Sequence, residues 1–575
     1  MNTADNYWIR RSLSRRQMLR TSAGGGVAAA AVLAGVGCGD DDSTTGTATS
    51  QGGALPTPKS STGSPIASKQ PKSGGQLTMA YASEPANISV FTASASIPTI
   101  FGFAFNRLTR VKTGPDQEPT AVVLEADLAQ SLPEQPDELT YVYKLKPGIK
   151  FHDVAPVNGR ELTAEDVKQA IDAYRSDTRS GFRGDNGAIE SVELPDSTTI
   201  RVKTKQPHAP LLAVSSSGYG WRIFPKEQLA GDALKTTAIG TGPYILDSYQ
   251  PNNKAEWRRN PTYFRNGLPY IDKLTFASIP QLPQQVAAFE AGSIAQLTQV
   301  DPTTAKPLQD KGARYIQSFV SFPGGYIAVN NTVPPFNDVR VRRALSMALD
   351  RAAESRTFEG GVGKPDQIVP IGGYKDALPI EQLGDAAKYW QFNTAEAKKL
   401  LEGAGYSDGI ETSIVWTPQY GTPYQGSIER ALPELKAAGF KATAQSIQYA
   451  DWIAGVYRPP FNFPGMLWGP YRTYPDIDPY VWYWLHPDPK EGISNQSRTS
   501  DPNLTALLEK QRRTMDPKAR IAVVHDIQRL VADQQYYIGR TTGAAFTLWQ
   551  PWLEGWAAPL GYDWNFIEKA WDSRI

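Results

Sequence analysis

The feature that most constrains this chain is a run of alternating strand and helix signals that begins at Gly324. Residues 324–330, GGYIAVN, read as a strand. Asn337 and Asp338 can cap a helix whose apolar face carries Val341, Ala344, Leu345, Ala348 and Ala352. Thr394 caps AEAKKLLEGAG, which ends on Gly403 and Gly405. Residues 411–417 (ETSIVWT) form a strand, 427–439 a helix with Pro433 in its first two turns, and 441–448 another strand. Asp451 starts a further helix, and Asp516-Pro517 opens a last long one to about Ala532. Strands and helices that alternate in this way bury their apolar faces as α/β layers.

With 575 residues the chain exceeds what one hydrophobic core supports, so two or three lobes are expected. Upstream of Gly324 the pattern is richer in strands. GQLTMAY at 75–81, LTYVYKLK at 139–146 and TTIRVKTK at 198–205 alternate as half-buried strands do. Thr163 caps a short amphipathic helix with Asp166 three residues on, and Val167, Ala170, Ile171 and Tyr174 share its apolar face. His152-Asp153 reads as a hydrogen-bonded loop pair. Ile239-Gly240-Thr241-Gly242-Pro243 is a rigid turn that opens a hairpin, GPYILDSYQ and AEWRRNPTYF. Neither this turn nor Gly360-Gly361-Val362-Gly363-Lys364 is a phosphate cradle. The first lacks a lysine and a following helix, and in the second Pro365 replaces the needed hydroxyl.

The N-terminus is an address. Ser14-Arg15-Arg16-Gln17-Met18-Leu19-Arg20 has the pattern of a twin-arginine export signal, and residues 23–37 follow as an uncharged run. That run is too short to cross a membrane, for which about 20 apolar residues are needed. It ends at Cys38, the single cysteine, where a bacterial lipoprotein is cut and lipidated, although Gly35 stands where such sites usually carry leucine. Residues 1–37 are therefore expected to be a signal peptide. Residues 38–74 are expected to be a lipidated cysteine and a disordered Ser/Thr/Gly/Pro tether, which lacks the apolar bulk for a core. Without the first 37 residues the chain has 54 basic and 57 acidic side chains and no basic block, which argues against nucleic acid as a partner. One cysteine and four scattered histidines form no disulfide and no zinc cluster, and no metal or other cofactor is implied.

Several passages together resemble the family 5 extracellular solute-binding proteins, the peptide-binding receptors of ATP-driven importers. They are LKPGIKFHD with LTAEDVK, IGTGPYIL with RNPTYFRNGLPYIDKLTF, and PFNDVRVRRALSMALDR, in order along the mature chain. The resemblance implies an α/β, two-lobed, periplasmic-binding-protein-like (type II) fold with two hinge crossings and an extra subdomain on the first lobe. Lobe 1 is expected at 75–325 plus 545–575, with an inserted subdomain at about 113–237, and lobe 2 at 326–544. It also implies a non-enzymatic, monomeric, extracytoplasmic receptor. Such a receptor captures a peptide or other small organic solute between its lobes, passes it to ABC permease and ATPase subunits, and is held at the membrane by lipidated Cys38.

Within that frame the stretch 468–484, WGPYRTYPDIDPYVWYW, is the expected cleft wall of the second lobe. Rings, three prolines, two aspartates and an arginine suit a concave site that grips a small molecule. The candidate ligand-binding residues are Trp468, Tyr471, Arg472, Thr473 and Asp476 here, with Glu84, Tyr326 and Trp416 bordering the cleft. Trp468→Ala is expected to weaken binding without changing apo stability. In peptide-binding relatives a segment of the type Asp-Tyr-Pro-Asp-Pro-Asp commonly supplies the aspartate that binds the peptide's amino group. Thr473 stands at that position, and a hydroxyl does not replace a carboxylate opposite a buried ammonium. Asp476 can take over the amine, so an amine-bearing peptide stays open beside a glycoside, an opine-like or anionic solute, and a metal complex. Two rival readings are a sensory receptor with the same fold and a secreted hydrolase using Asp451, Asp476 and Asp478, although no nucleophile elbow or triad accompanies those carboxylates.

Overall fold

The computed structural model describes residues 70–575 apart from 83–84, 86, 93–95, 115–116, 118–121, 319–323, 372–373, 375, 471–473, 475, 492–493, 544 and 557–564. The export signal, Cys38 and the tether lie outside the described residues, as do Glu84, Tyr471, Arg472 and Thr473.

The first lobe is built on strand β1 (Gln76–Tyr81), whose alternate residues Leu77 and Met79 are fully buried. An inserted four-stranded antiparallel sheet follows, from β2 (Glu134–Asp137), β3 (Thr140–Lys144), β4 (Ile189–Glu193) and β5 (Thr199–Thr204), in the order β2-β3-β5-β4. Helix α1 (Ala164–Ser176) accompanies it. Its start is specified chemically: the Thr163 hydroxyl accepts from the Asp166 N–H, and the Asp166 carboxylate accepts from the Thr163 N–H. Val167, Ala170, Ile171 and Tyr174 are its buried stripe.

The chain then returns to β1 with β6 (Tyr244–Gln250), β7 (Lys254–Arg259) and β8 (Lys273–Ser278), giving the order β1-β8-β7-β6 with β1 and β8 parallel. Leu77 pairs with Leu274 and Met79 with Phe276, so the apolar faces coincide. Phe103 packs edge-on to Trp257 at 4.5 Å and stacks on Phe276 at 5.3 Å. Two strands complete this side, β9 (Gln296–Val300) and β10 (Arg314–Ser318).

The second lobe has one mixed sheet: β11 (Gly325–Val329), β12 (Ile410–Trp416), β13 (Phe440–Ser446), β14 (Met466–Pro470) and β15 (Tyr537–Gly539), in the order β13-β12-β14-β11-β15. Around it lie α2 (Val339–Met347), α3 (Arg351–Phe358), α4 (Thr394–Gly403), α5 (Thr422–Ala437), α6 (Asp478–Leu485), α7 (Pro502–Arg513) and α8 (Pro517–Gln534). β16 (Ala545–Trp549) then leaves this lobe and inserts antiparallel between β9 and β10. The backbone thus passes between the two layers twice, once between β10 and β11 and once between β15 and β16. Among the described residues no helix is long and apolar enough to cross a membrane.

Three local expectations change. Asn393, not Thr394, caps α4, because its side chain accepts from the Glu396 N–H. Helix α5 starts at Thr422, five residues before the expected start at Ser427, so Pro433 lies well inside it rather than in its first two turns. Asp451 ends a short turn that continues as a π-helix over Trp452–Tyr457. The reason is common to all: periodicity locates the buried face of a helix, whereas the polar first turn is set by caps and neighbours.

His152 is also reassigned. Its ring meets the 239–243 turn: Nδ1 accepts from the Gly240 N–H at 3.4 Å, and Nε2 lies 3.1 Å from the Gly242 carbonyl. Burial holds this imidazole down at about 4. A histidine kept neutral by burial contributes stability that is complete above its ordinary value and lost as pH falls toward the depressed one. On going from pH 7 to pH 4, the protein should therefore lose about 2–3 kcal/mol more than His152→Asn does. Urea melts of the two proteins at both pH values measure this.

Candidate ligand-binding cleft

The strand directions of the second lobe define a single functional edge. β12 runs parallel to β13 and β14, and β11 runs antiparallel to both β14 and β15. The carboxyl ends of β12, β13, β14 and β15 therefore lie together with the amino end of β11. Both crossings join this edge, since Gly325 pairs with Pro470 and Tyr326 with Gly539. In α/β sheets ligands bind in the crevice beyond the carboxyl ends of the strands, where backbone groups lose their ladder partners. At this edge lie Trp416-Thr417, Ser446-Ile447, Pro470 and Arg540 to Thr542.

Of the expected residues, Trp416 is placed here. It is the last residue of β12 and 9% exposed, and its carbonyl accepts from the Ile447 N–H at 2.8 Å.

Trp468 is not a cleft residue. It lies within β14, fully buried, and its indole N–H donates to the Ser427 hydroxyl of α5 at 3.2 Å. The Arg540 guanidinium lies over its ring at 4.0 Å, and the Tyr424 hydroxyl donates to its carbonyl. Register explains the placement: Trp468 pairs with Ile327 and shares its face of the sheet, which α5 covers.

Tyr326 points to the opposite face and is also fully buried. Its hydroxyl donates to Gln496 Oε1 at 2.7 Å, and its ring meets Trp484 at 4.4 Å and Tyr537 at 5.4 Å. Gly469 pairs with it because a β-carbon there would stand 2.3 Å from the tyrosine ring. Both rings are lobe core and do not border the cleft.

Asp476 is a structural ion. It is 3% exposed, and Arg520 of α8 holds it in a fork at 2.5 and 3.0 Å, while its Oδ1 accepts from the Asp478 N–H. Its carboxylate is committed to the start of α6 and is not available to a ligand ammonium. Asp478 is likewise paired, with Arg512 at 2.8 and 2.9 Å, and that guanidinium holds its carboxyl below the usual range against the effect of burial. These pairs engage two of the three carboxylates of the hydrolase reading, and the third, Asp451, is exposed.

Sequence reasoning missed a buried polar cluster at the return crossing. Arg540, fully buried, donates to Glu354 of α3 and to Ser427 at 2.8 Å. Beside it, Thr541 donates to Glu359 Oε1 at 2.5 Å, and burial, reinforced by the Glu354 charge, pushes the Glu359 carboxyl up to about 8. Asp366 is pushed up to about 8 by burial while accepting from the Gln367 and Ile371 N–H groups. One signal was present: Arg540 is the only charged residue between Asp533 and Glu554. Among the described residues no group of three or more His, Cys, Asp or Glu side chains is placed to hold a metal ion.

Two layered lobes joined by two crossings, with the strand ends turned to the crossings, define the periplasmic-binding-protein class of fold. Two solved structures share it. The periplasmic binding protein DppA of Helicobacter pylori, in complex with the peptide STSA, superimposes with a TM-score of 0.74 at 20% identity, over 87% of this chain and 99% of its own. MoaA of A. tumefaciens R10, in complex with mannopinic acid, does so at 0.70 with 25% identity, over 87% and 99%. In sequence, a putative ABC transporter peptide-binding protein of Brucella ovis is 30% identical over 361 residues, 60% of this chain and 66% of that protein. The match thus spans just under two thirds of that relative. The profile of the bacterial extracellular solute-binding proteins, family 5 Middle, matches residues 123–492. This chain belongs to that family.

The placements convert two expectations about ligand contact into expectations about stability. Trp468→Ala should cost about 3–5 kcal/mol through the cavity it leaves in the core. Asp476→Ala should cost about as much, by leaving the Arg520 guanidinium buried without its counterion. Denaturant unfolding of each variant, free of ligand, checks both.

Proposed function

We propose that this chain is an extracytoplasmic receptor that captures a small organic solute between its lobes and delivers it to the permease and ATPase subunits of an ABC importer. The observation that carries this reading is the shared edge of the second-lobe sheet, where four carboxyl strand ends and both crossings meet. A ligand seated there touches both lobes and the hinge at once, so its binding free energy couples directly to closure. Closure expels water, and the polar contacts made to the ligand strengthen as the local dielectric falls. No covalent step is needed. In this reading the twin-arginine signal exports the protein, and a lipid on Cys38 holds it, as a monomer, at the membrane through the 38–74 tether.

The proposed ligand contacts are Trp416 at the end of β12, Glu84 after β1, and Tyr471, Arg472 and Thr473 after β14. Their chemistry favours an acceptor-rich, anionic or opine-like solute over a peptide with a free amino group. Thr473 is neutral, the Asp476 carboxylate is engaged by Arg520, and an arginine at 472 suits a carboxylate. The bound mannopinic acid of the A. tumefaciens protein supports this choice, and the peptide of the H. pylori protein marks the alternative.

Mass spectrometry of the small molecules released on denaturing the purified protein should find an acidic, acceptor-rich compound. Peptides with free amines as the dominant species would overturn the ligand class, and steady turnover of glycosides or peptides by pure protein would overturn the receptor. Trp416→Ala should lower retention of the co-purified compound about tenfold, the equivalent of about 1.4 kcal/mol. Its effect on apo stability should be well below that of Trp468→Ala.

A further inference from the structure

The inserted subdomain meets the second lobe at the carboxyl end of α7, and this contact has the makings of a closing device. The last carbonyls of a helix have no partner within it. In α7 the Arg512 carbonyl accepts from the Ala209 N–H at 2.8 Å, a hydrogen bond supplied by the other lobe. The Arg512 side chain is the hub of the same surface. It forks onto Asp478, lies over the Trp482 ring at 3.5 Å, and reaches Glu491 at 3.8 Å. Glu491 in turn accepts from the Trp482 indole N–H at 3.1 Å.

The 183–187 turn of the subdomain packs onto this surface so closely that a β-carbon at Gly184 would stand 3.1 Å from the Lys490 carbonyl oxygen. The turn is braced from its own side, because Trp221 donates to the Asn186 side chain at 2.6 Å. We infer that the inserted subdomain is a latch, whose 183–187 turn and His208-Ala209 corner close onto the Arg512 hub and set how far the lobes shut, independently of the ligand.

The latch carries two titrating groups of opposite sign. Asp185 enters beside Asp478 and Glu491, with Arg512 and Arg458 as the opposing cations; burial first, then those carboxylates, push it up to about 7. Lobes that are apart leave it near the ordinary carboxylate value of about 4. Closed lobes therefore take up a proton at Asp185 between those values, and acidification favours closure. His208, 5% exposed, is driven down to about 3 by burial, with Arg512 and Arg520 adding to the shift and Asp478 opposing it. Closed lobes therefore shed its proton, and acidification below about 6.5 opposes closure. Arg183 begins the turn and Lys490 faces it, and His486 stacks on Trp482 at 4.1 Å. In the native protein the two effects offset each other below about pH 6.5.

The inference takes from the receptor reading only that the lobes separate. Spin labels on Leu139→Cys and Phe392→Cys, which are 37% and 47% exposed, report the lobe distance in full-length protein carrying Cys38→Ser, with no ligand added. Gly184→Val should shift the closed-to-open ratio about tenfold toward open by wedging the turn off Lys490. At pH 8 Asp185→Asn should shift it about tenfold or more toward closed. From pH 8 to pH 5 the closed fraction should fall in Asp185→Asn and rise in His208→Gln. If circular dichroism shows Gly184→Val to be unfolded, the other two variants decide. Distance distributions in Asp185→Asn and His208→Gln that match the native protein at every pH overturn the latch. Such a failure leaves the co-purified compound untouched as a test of the receptor.

Discussion

The buried guanidinium of Arg540 is the constraint around which the second lobe and the hinge are arranged. A fully buried cation is tolerated only where charge and hydrogen bonds meet it, and breaking such a pair costs about 3–5 kcal/mol. Its partners come from three directions: Glu354 on α3, Ser427 on α5 and the Trp468 ring on β14. Arg540 itself begins the return crossing. One side chain therefore ties the hinge backbone to two helices and a central strand. Thr541 adds a second tie through Glu359, whose raised carboxyl is kept next to Glu354 without a second full charge at neutral pH.

Because the crossing is held to the sheet, the sheet edge becomes one wall of a cleft with a defined floor. Closure then has two separable controls. Near the hinge, the proposed ligand bridges strand ends and crossings. At the latch, the inserted subdomain caps α7 through the Ala209–Arg512 hydrogen bond and brings Asp185 between Asp478 and Glu491 on one side and Arg512 and Arg458 on the other. On the proposed reading, an electrostatic cost of closing at neutral pH leaves the ligand's contacts to decide the outcome.

The fold is shared by proteins with a bound peptide and with bound mannopinic acid, and it does not by itself select a ligand. Selection rests on which charged groups face the cleft. Asp476 is expected from sequence to serve a ligand amine and Asp478 to join a hydrolytic pair, yet Arg520 and Arg512 engage them within the lobe. On the proposed reading the ligand is met instead by Trp416 at the end of β12 and by Tyr471, Arg472 and Thr473.

Sequence alone determined the local elements and the layer architecture. Those follow from interactions between residues a few positions apart, such as the Thr163–Asp166 box and the alternation of Leu77 and Met79. Family resemblance carried the two lobes and the crossings. Side-chain direction in the second lobe was not legible, for a physical reason: both faces of its sheet are covered, so Tyr326 and Trp468 are buried alike on opposite sides and periodicity does not separate core from cleft. Partner choice across long separations was equally hidden. Asp476 finds Arg520 44 positions away and Arg540 finds Glu354 186 positions away, and only the packed chain brings such charges within reach of each other.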